Sequence, residues 1–172
     1  MAFEAYDLKK LQIINAMSEE TQCFSADLWV DGVKFAHVSN DGRGGCDRFM
    51  PYPPHTRADE DALASRLMSE NPDNPRFARK GDAIESLTMV LIVRADLVKK
   101  MRSAVIFIDG TQTMSLKTKD KSAPGEPHFA HIRQSHPDAV ILNEMDPGSA
   151  AMASVAAEFA AMDAESSRPF TP

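Results

Sequence analysis

The sequence predicts an α+β fold, with a mainly antiparallel sheet built from hairpins and with helices packed on one face of it. Two Asp-Gly pairs, Asp31-Gly32 and Asp109-Gly110, each separate two strand-like segments, which is the pattern of a short hairpin turn. Strand and helix patterns do not alternate along the chain, as they do where helices connect parallel strands. Both observations favour hairpins over a doubly wound parallel sheet.

Three strands are predicted before the first helix. Residues 8–16 are rich in isoleucine and leucine and are predicted as the first strand, with a short helix over residues 3–10 as the alternative. Residues 23–30 alternate apolar with polar side chains, which is the period of a strand that buries one face. Residues 33–38 are predicted as the return strand, because Asp31-Gly32 supplies the two positive φ angles that a two-residue turn needs.

Two helices are predicted next, each opened by a pattern in which a side chain can close the first turn. A Thr-x-x-Asp sequence starts the first helix, over residues 56–69, and an Asp-x-x-Glu sequence starts a longer one, over residues 82–102. The longer helix carries apolar residues at helical spacing and basic residues at its end, where cations oppose the helix dipole. We expect it to be the central helix of the core.

The last third of the chain predicts a second hairpin, a short helix, a strand and a final helix. The final helix is rich in alanine, so it can pack closely within the chain or dock on a second copy to form a homodimer. The predicted segments are residues 105–108, 113–117, 128–134, 139–142 and 146–162.

The length of the chain, 172 residues, suits one well-buried core. We predict a single domain over residues 1–164 and a loose polar tail over residues 165–172. No run approaches the roughly 20 apolar residues of a membrane span, so no membrane partner is expected. Two cysteines in a chain of this size indicate reduced thiols and a cytoplasmic location.

The net charge is −6, and it is unevenly distributed. Residues 94–121 carry a balance of +4, whereas residues 18–93 and 122–172 carry −5 each. An acidic chain is a poor general binder of nucleic acid, because affinity there comes from clustered lysine and arginine, so direct nucleic-acid binding is not expected. We interpret the basic segment as a solvated helix end and hairpin edge, and a local basic patch is the alternative.

A glycine-rich loop follows the predicted return strand and is the candidate binding site. Glycines let backbone N–H groups approach an anion, and an arginine can add a bidentate contact to a phosphate. The loop lacks the spacing of a dinucleotide-binding or a nucleoside-triphosphate-binding loop. The alternative interpretation is a tight turn. The predicted ligand- or partner-binding residues are Asn40, Asp41, Gly42, Arg43, Gly44 and Gly45.

Histidine and cysteine residues are weaker candidates for chemistry. His128, His131 and His136 lie close together in the sequence, but no metal-binding motif includes them. Cys46 follows the glycine-rich loop between two arginines and is the better candidate for a reactive thiol, yet no partner base can be assigned to it. We therefore predict no metal, no cofactor and no catalytic residue.

Several short stretches of this sequence resemble stretches of other proteins. The matching stretches are Ser18-Glu19-Glu20-Thr21, Phe24-x-Ala26-x-Leu28, Asp31-Gly32 and Asn40-Asp41-Gly42-Arg43-Gly44-Gly45, with a fainter likeness at residues 105–110 and 141–143. Over about the first third of the chain, the pattern resembles small uncharacterised proteins carried by phages, prophages and plasmids of bacteria. The resemblance implies no activity. It implies a mobile-element product that meets host machinery, in the host cytoplasm if a phage encodes it.

These observations lead us to expect a non-enzymatic, acidic binding protein that engages or inhibits a host or phage complex, such as a nucleic-acid-handling or defence complex. One alternative is a small-ligand binder that holds a phosphate or nucleotide in the glycine-rich loop. Another is an enzyme of unknown reaction, which would require Cys46 or a histidine to meet a charged partner in one pocket.

Overall fold

The computed structural model of the protein describes residues 3–119 and 121–166, without the side chain of residue 165. Within these residues the predicted α+β class is confirmed, with α-helices beside antiparallel strands. The strands form two sheets, where the sequence predicts one. The chain divides into two compact units, Met1–Ile92 and Val93–Pro172, each with one sheet. Compact units are not always independent domains, so a single domain over residues 1–164 stays a prediction.

A four-stranded antiparallel sheet forms the frame of the first unit. Its strands are β1 (Tyr6–Ile13), β2 (Phe24–Val30), β3 (Val33–Asn40) and β4 (Arg48–Pro51), paired in that order. The predicted turn at Asp31-Gly32 is confirmed, because both residues have positive φ, 51° and 78°. β4 is not predicted from the sequence, since nearby prolines indicate an irregular segment. As an edge strand, β4 can accommodate Pro51.

Two helices cover one face of this sheet. They are α1 (Arg57–Glu70) and α2 (Lys80–Lys100), of which the part up to Ile92 belongs to the first unit. The capping pattern of α1 is confirmed: the Thr56 backbone N–H and hydroxyl donate to Asp59 Oδ2 at 2.7 and 2.8 Å. α2 begins before the residues that the sequence predicts as its cap.

The two faces of the four-stranded sheet differ in composition. Val38 and Phe49, which are paired across β3 and β4, line one cavity together with Ala64 of α1 and Ile84 of α2. Side chains alternate along each strand, so the residues between these positions point away from the helices. We call the face turned away from the helices the open face. Its side chains include those of Lys9, Ser25, Asp27, Trp29, Lys34, His37 and Arg48.

A three-stranded antiparallel sheet forms the frame of the second unit. Its strands are β5 (Ala104–Asp109), β6 (Gln112–Lys117) and β7 (Val140–Ile141), and its helices are α3 (Glu126–Ser135) and α4 (Pro147–Ser166). β5 lies in the centre and is buried over its first five residues, so its sequence is a continuous apolar run. The hairpin turn consists of Gly110 and Thr111, one residue later than the sequence predicts.

α3 and α4 lie against opposite faces of the second sheet. Phe107 of β5 packs with Ile132 of α3 in one apolar cluster. Thr113 is paired with Ile108, the neighbour of Phe107, and its hydroxyl lies 3.2 Å from the Ser154 hydroxyl of α4. Because successive side chains of a strand point to opposite faces, the two helices enclose the central strand.

The C-terminal helix α4 packs within the chain. Its buried residues include Ala150, Ala151, Val155 and Ala157. A homodimer through this helix stays a prediction. The predicted tail over residues 165–172 begins inside α4, which ends at Ser166, and residues 167–172 lie outside the described part of the chain. None of the helices in residues 3–119 and 121–166 has both the length and the apolar composition needed to cross a bilayer.

Candidate functional site

The glycine-rich loop that is predicted as the binding site forms hydrogen bonds within its own chain. Gly42 is buried, and its carbonyl oxygen accepts hydrogen bonds from the backbone N–H groups of Glu19, Glu20 and Thr21, at 2.9, 3.0 and 3.3 Å. The φ angle of Gly42 is 83°, and a Cβ atom at this position would overlap the carbonyl oxygen of Met17. The glycine is therefore explained by close packing against the preceding turn.

The N–H groups of the same loop are donors within the chain. Three of them have intramolecular acceptors at 2.9, 3.4 and 3.3 Å, respectively: Gly42 with Asn40 Oδ1, Arg43 with Asp41 Oδ1, and Gly44 with the Thr21 hydroxyl. An anion held by the loop would have to compete with these acceptors. The exposed residues are Asp41, Arg43 and Gly45, Gly44 is partly exposed, and Asn40 and Gly42 are buried. The pattern favours the tight-turn interpretation, and ligand or partner binding by residues 40–45 stays a prediction.

Asn40 connects the loop to an acidic pair. Its side chain is buried, and its Nδ2 group donates to Asp47 Oδ1 at 3.0 Å and to the Gly45 carbonyl at 3.3 Å. The backbone N–H of Asp47 in turn donates to Glu85 Oε1 of α2 at 2.9 Å. The loop thus holds Asp47 beside Glu85.

Asp47 and Glu85 lie in a cavity of about 400 Å³ within the first unit. Part of its wall is apolar and is formed by Val38, Phe49, Ala64 and Ile84. Five acidic side chains and two basic ones also line the cavity. The acids are Asp47, Glu60, Asp61, Asp82 and Glu85, and the bases are Arg57 and Lys80. We call this cavity the acidic pocket.

The charge of the acidic pocket is only partly compensated. Arg57 Nη1 lies 3.4 Å from Glu60 Oε2, an oxygen that is buried and has no hydrogen-bond partner among the described residues. Burial raises the pKa of Asp47, because a carboxylate is less stable away from water. A cationic group in the pocket would offset this unfavourable burial, and its carbon atoms could contact the apolar wall.

Cys46 also lines the acidic pocket, in surroundings opposite to those expected. The sequence predicts an electropositive site between Arg43 and Arg48, but Arg48 pairs with Asp41 at 2.8 Å. The carboxylate of Glu85 raises the pKa of the Cys46 thiol, which reduces its thiolate fraction. The structure therefore does not support Cys46 as a reactive thiol.

Alkylation of Cys46 by iodoacetamide at neutral pH is expected to be slow for an exposed thiol. The variant Glu85→Gln is expected to speed it several-fold, because the thiolate fraction rises when the carboxylate is removed. Mass spectrometry of the modified peptide gives the rate, with buried Cys23 as the unreactive reference in the native protein. An unchanged rate in the variant would show that Glu85 does not control the thiol.

The candidate histidines do not converge on one point. His128 Nδ1 accepts a hydrogen bond from the Gly125 N–H at 3.3 Å, at the start of α3. His136 Nδ1 lies 2.7 Å from Asp109 Oδ2, and His131 is exposed. No group of three or more His, Cys, Asp or Glu residues is arranged to hold a metal ion within residues 3–119 and 121–166.

Sequence reasoning misses the acidic pocket because its acids look like parts of separate helices. Asp82 and Glu85 have the spacing of a capping box, but the Glu85 carboxylate instead accepts a hydrogen bond from the backbone N–H of Asp47. Glu60 and Asp61 look like solvated residues of a helix start. The available signal is that two helices begin with several acids. Only the fold shows that both helix starts meet the same edge of the sheet.

Comparisons with protein-family models, with curated proteins and with solved structures found no match. The resemblance to mobile-element proteins therefore stays an expectation from the sequence. The functional proposal rests on the geometry and charge of the acidic pocket.

Proposed function

We propose that this chain is a non-enzymatic, acidic binding protein that engages or inhibits a host or phage complex through the acidic pocket. The observation that carries the proposal is an excess of acidic side chains around a cavity with an apolar wall. An arginine or lysine side chain suits such a site, because its methylene stem contacts apolar atoms while its head pairs with carboxylates. The partner class is therefore a protein with an exposed basic side chain.

The charge of the first unit supports the same partner class. Residues 1–92 contain fifteen acids and ten bases. An acidic surface attracts basic partners over distances of about a Debye length, which speeds association and makes it sensitive to salt. Proteins of nucleic-acid-handling or defence complexes carry basic surfaces for their nucleic acid, so they offer suitable side chains. The host cytoplasm is the location that this proposal requires.

Co-purification of partners from bacterial lysate tests the proposal. The bait is the whole chain, compared with a variant that carries Asp47→Asn and Glu85→Gln. These changes keep the size of both side chains and remove two charges from the acidic pocket. We expect the wild-type chain to retain a basic partner at low salt and the variant to lose it.

The matched control carries Asp73→Asn and Glu158→Gln, which remove two exposed charges outside the acidic pocket. It is expected to retain the partner. Equal retention by the two variants, or equal loss from both, would contradict a role for the pocket. Failure of the wild-type chain to retain any protein above background would contradict the binding function itself.

The two alternatives have less support. Three N–H groups of the glycine-rich loop already have acceptors, which weakens a phosphate- or nucleotide-binding role. An enzyme would need a nucleophile or base with its partner in one pocket. Cys46 meets carboxylates in the acidic pocket, and no histidine lines that cavity.

A further inference from the structure

Charge is segregated between the two faces of the four-stranded sheet. The first unit is acidic as a whole, but the balance on its open face is reversed. The bases of the open face are Lys9, Lys10, Lys34 and Arg48, and its acids are Asp7 and Asp27. Arg48 is paired with exposed Asp41 at the edge of this surface, and Lys10 and Lys34 share Asp27, so the three lysines exceed Asp7 and Asp27 by one positive charge. The open face therefore has a local excess of positive charge, although the whole chain is acidic.

Asp27 forms ion pairs with two lysines of the open face, Lys10 and Lys34. It is buried, accepts a hydrogen bond from the Tyr52 hydroxyl at 2.7 Å, and lies 3.2 Å from Lys34 Nζ and 3.7 Å from Lys10 Nζ. The Tyr52 hydrogen bond, followed by the lysine charges, holds the pKa of Asp27 below its usual range. An ionised carboxylate therefore fixes the cationic groups at the middle of the sheet.

Two of these lysines lie over the faces of aromatic rings. Lys9 Nζ is 3.5 Å from the centroid of the Trp29 ring, and Lys34 Nζ is 3.9 Å from the centroid of the Tyr52 ring. Both aromatic side chains are partly exposed. A base that stacked on either ring would replace the lysine on that ring face, and the displaced ammonium group would then contact the phosphate.

We propose that the open face binds single-stranded nucleic acid, with bases stacked on Trp29 and Tyr52 and with phosphates contacted by Lys9, Lys10 and Lys34. The inference goes beyond the proposed function, because the acidic pocket lies on the helix-covered face. Single strands fit better than duplexes, since paired bases do not present their ring faces. The whole chain is acidic, but the binding of nucleic acid depends on the local charge of the surface.

An acidic protein segment is the competing occupant of the open face. It would use the lysines but would gain little from the two rings, whereas a base stacks on them. The pairing of Lys9 and Lys34 with aromatic rings therefore favours nucleic acid. Little sequence preference is expected, because stacking and phosphate contacts do not read base edges.

The single tryptophan of the chain gives a direct test, because Trp29 is on the proposed surface. The unmodified protein is titrated at low salt with oligothymidylate and with oligouridylate, and tryptophan fluorescence is followed together with the anisotropy of a labelled oligonucleotide. We expect saturable quenching that weakens as salt rises. The DNA and RNA arms show which sugar is preferred. No response in either signal up to about 100 µM nucleic acid, the weak limit of non-specific binding, would overturn the proposal.

A pair of lysine variants locates the binding surface. The test variant carries Lys9→Gln and Lys10→Asn, with asparagine at position 10 because its φ is 55°. The control carries Lys117→Gln and Lys119→Gln, two exposed lysines of the basic segment 94–121. We expect the test variant to bind about tenfold more weakly, with a slope of log K against log salt that is less steep by about 1.4. Weakening in the control alone would move the site to the basic segment and overturn the proposal.

Competition by polyglutamate of matched length separates the two kinds of occupant. Nucleic acid is expected to resist displacement, because polyglutamate supplies charge without stacking. If polyglutamate displaces the labelled oligonucleotide as effectively as unlabelled oligonucleotide does, and if nucleic acid does not quench Trp29, the open face would be assigned to an acidic protein segment instead.

Discussion

The variant Gly42→Ala is expected to lower the free energy of unfolding by about 3 kcal/mol or more. Two effects add at this position. The φ angle of 83° is unfavourable for any side chain, and the new Cβ atom would overlap the backbone carbonyl oxygen of Met17. Relief would require the backbone to move, which would break the three hydrogen bonds that the Gly42 carbonyl oxygen accepts.

The control for this prediction is Gly45→Ala in the same loop. Gly45 has a φ angle of 94°, but no heavy atom lies within 4 Å of the position that its new Cβ atom would take, so only backbone strain of about 1 to 2 kcal/mol is expected. Urea unfolding followed by Trp29 fluorescence measures both variants. Equal losses in the two would contradict the close packing of Gly42 against the preceding turn.

The variant Asn40→Ala is expected to destabilise the protein by about 3 kcal/mol. The Asn40 side chain is buried and makes four hydrogen bonds. The partners are the Thr21 hydroxyl, the Gly42 N–H, the Gly45 carbonyl and Asp47 Oδ1. Alanine would leave these groups without their partner in a site that is mostly closed to water. Unfolding in urea measures the loss.

Two further variants test the origin of this effect. Ser39→Ala, one residue earlier and on the open face, is expected to change stability by less than about 0.5 kcal/mol. Asn40→Asp would place a second carboxylate beside Asp47, where the structure has an amide donor at 3.0 Å. Repulsion raises the pKa of the pair in the folded state, so the variant should regain stability relative to the wild type as pH falls through that pKa. A loss that did not depend on pH would argue against this contact.

Together these variants measure how much the glycine-rich loop contributes to the stability of the fold. If Asn40 and Gly42 matter for stability, residues 40–45 serve to hold Asp47 at the acidic pocket. The partner-binding test with Asp47→Asn and Glu85→Gln then probes the pocket itself. The two kinds of measurement are independent, because one reports on folding and the other on binding.

The parts of the fold that depend on neighbouring residues could be predicted from the sequence. The turn at Asp31-Gly32 is one example, because its two positive φ angles are a local requirement. The start of α1 is another, because Thr56 and Asp59 cap it through hydrogen bonds three residues apart. β4 could not be predicted, since a short edge strand with proline is stabilised by pairing with β3 and not by its own pattern.

The acidic pocket depends on contacts between distant residues, so it could not be predicted from the sequence, which pointed to residues 40–45 instead. The glycines at positions 42, 44 and 45 suggest an exposed anion-binding loop. Whether a loop N–H group is available depends on acceptors elsewhere in the chain, such as the Thr21 hydroxyl. The acidic pocket forms where residues of β4, α1 and α2 come into contact, and the spacing of these residues along the chain does not predict that contact.

The sequence by itself determined the α+β class, the first hairpin, the capped start of α1 and the net charge of −6. The tertiary structure decided where that charge lies. The register of β1, β2 and β3 directs lysines to one face of the sheet, and α1 and α2 cover the other face with their acids. Propensity, turn geometry and composition act between neighbours or sum over the chain, whereas a local surface charge depends on which distant residues the fold brings together.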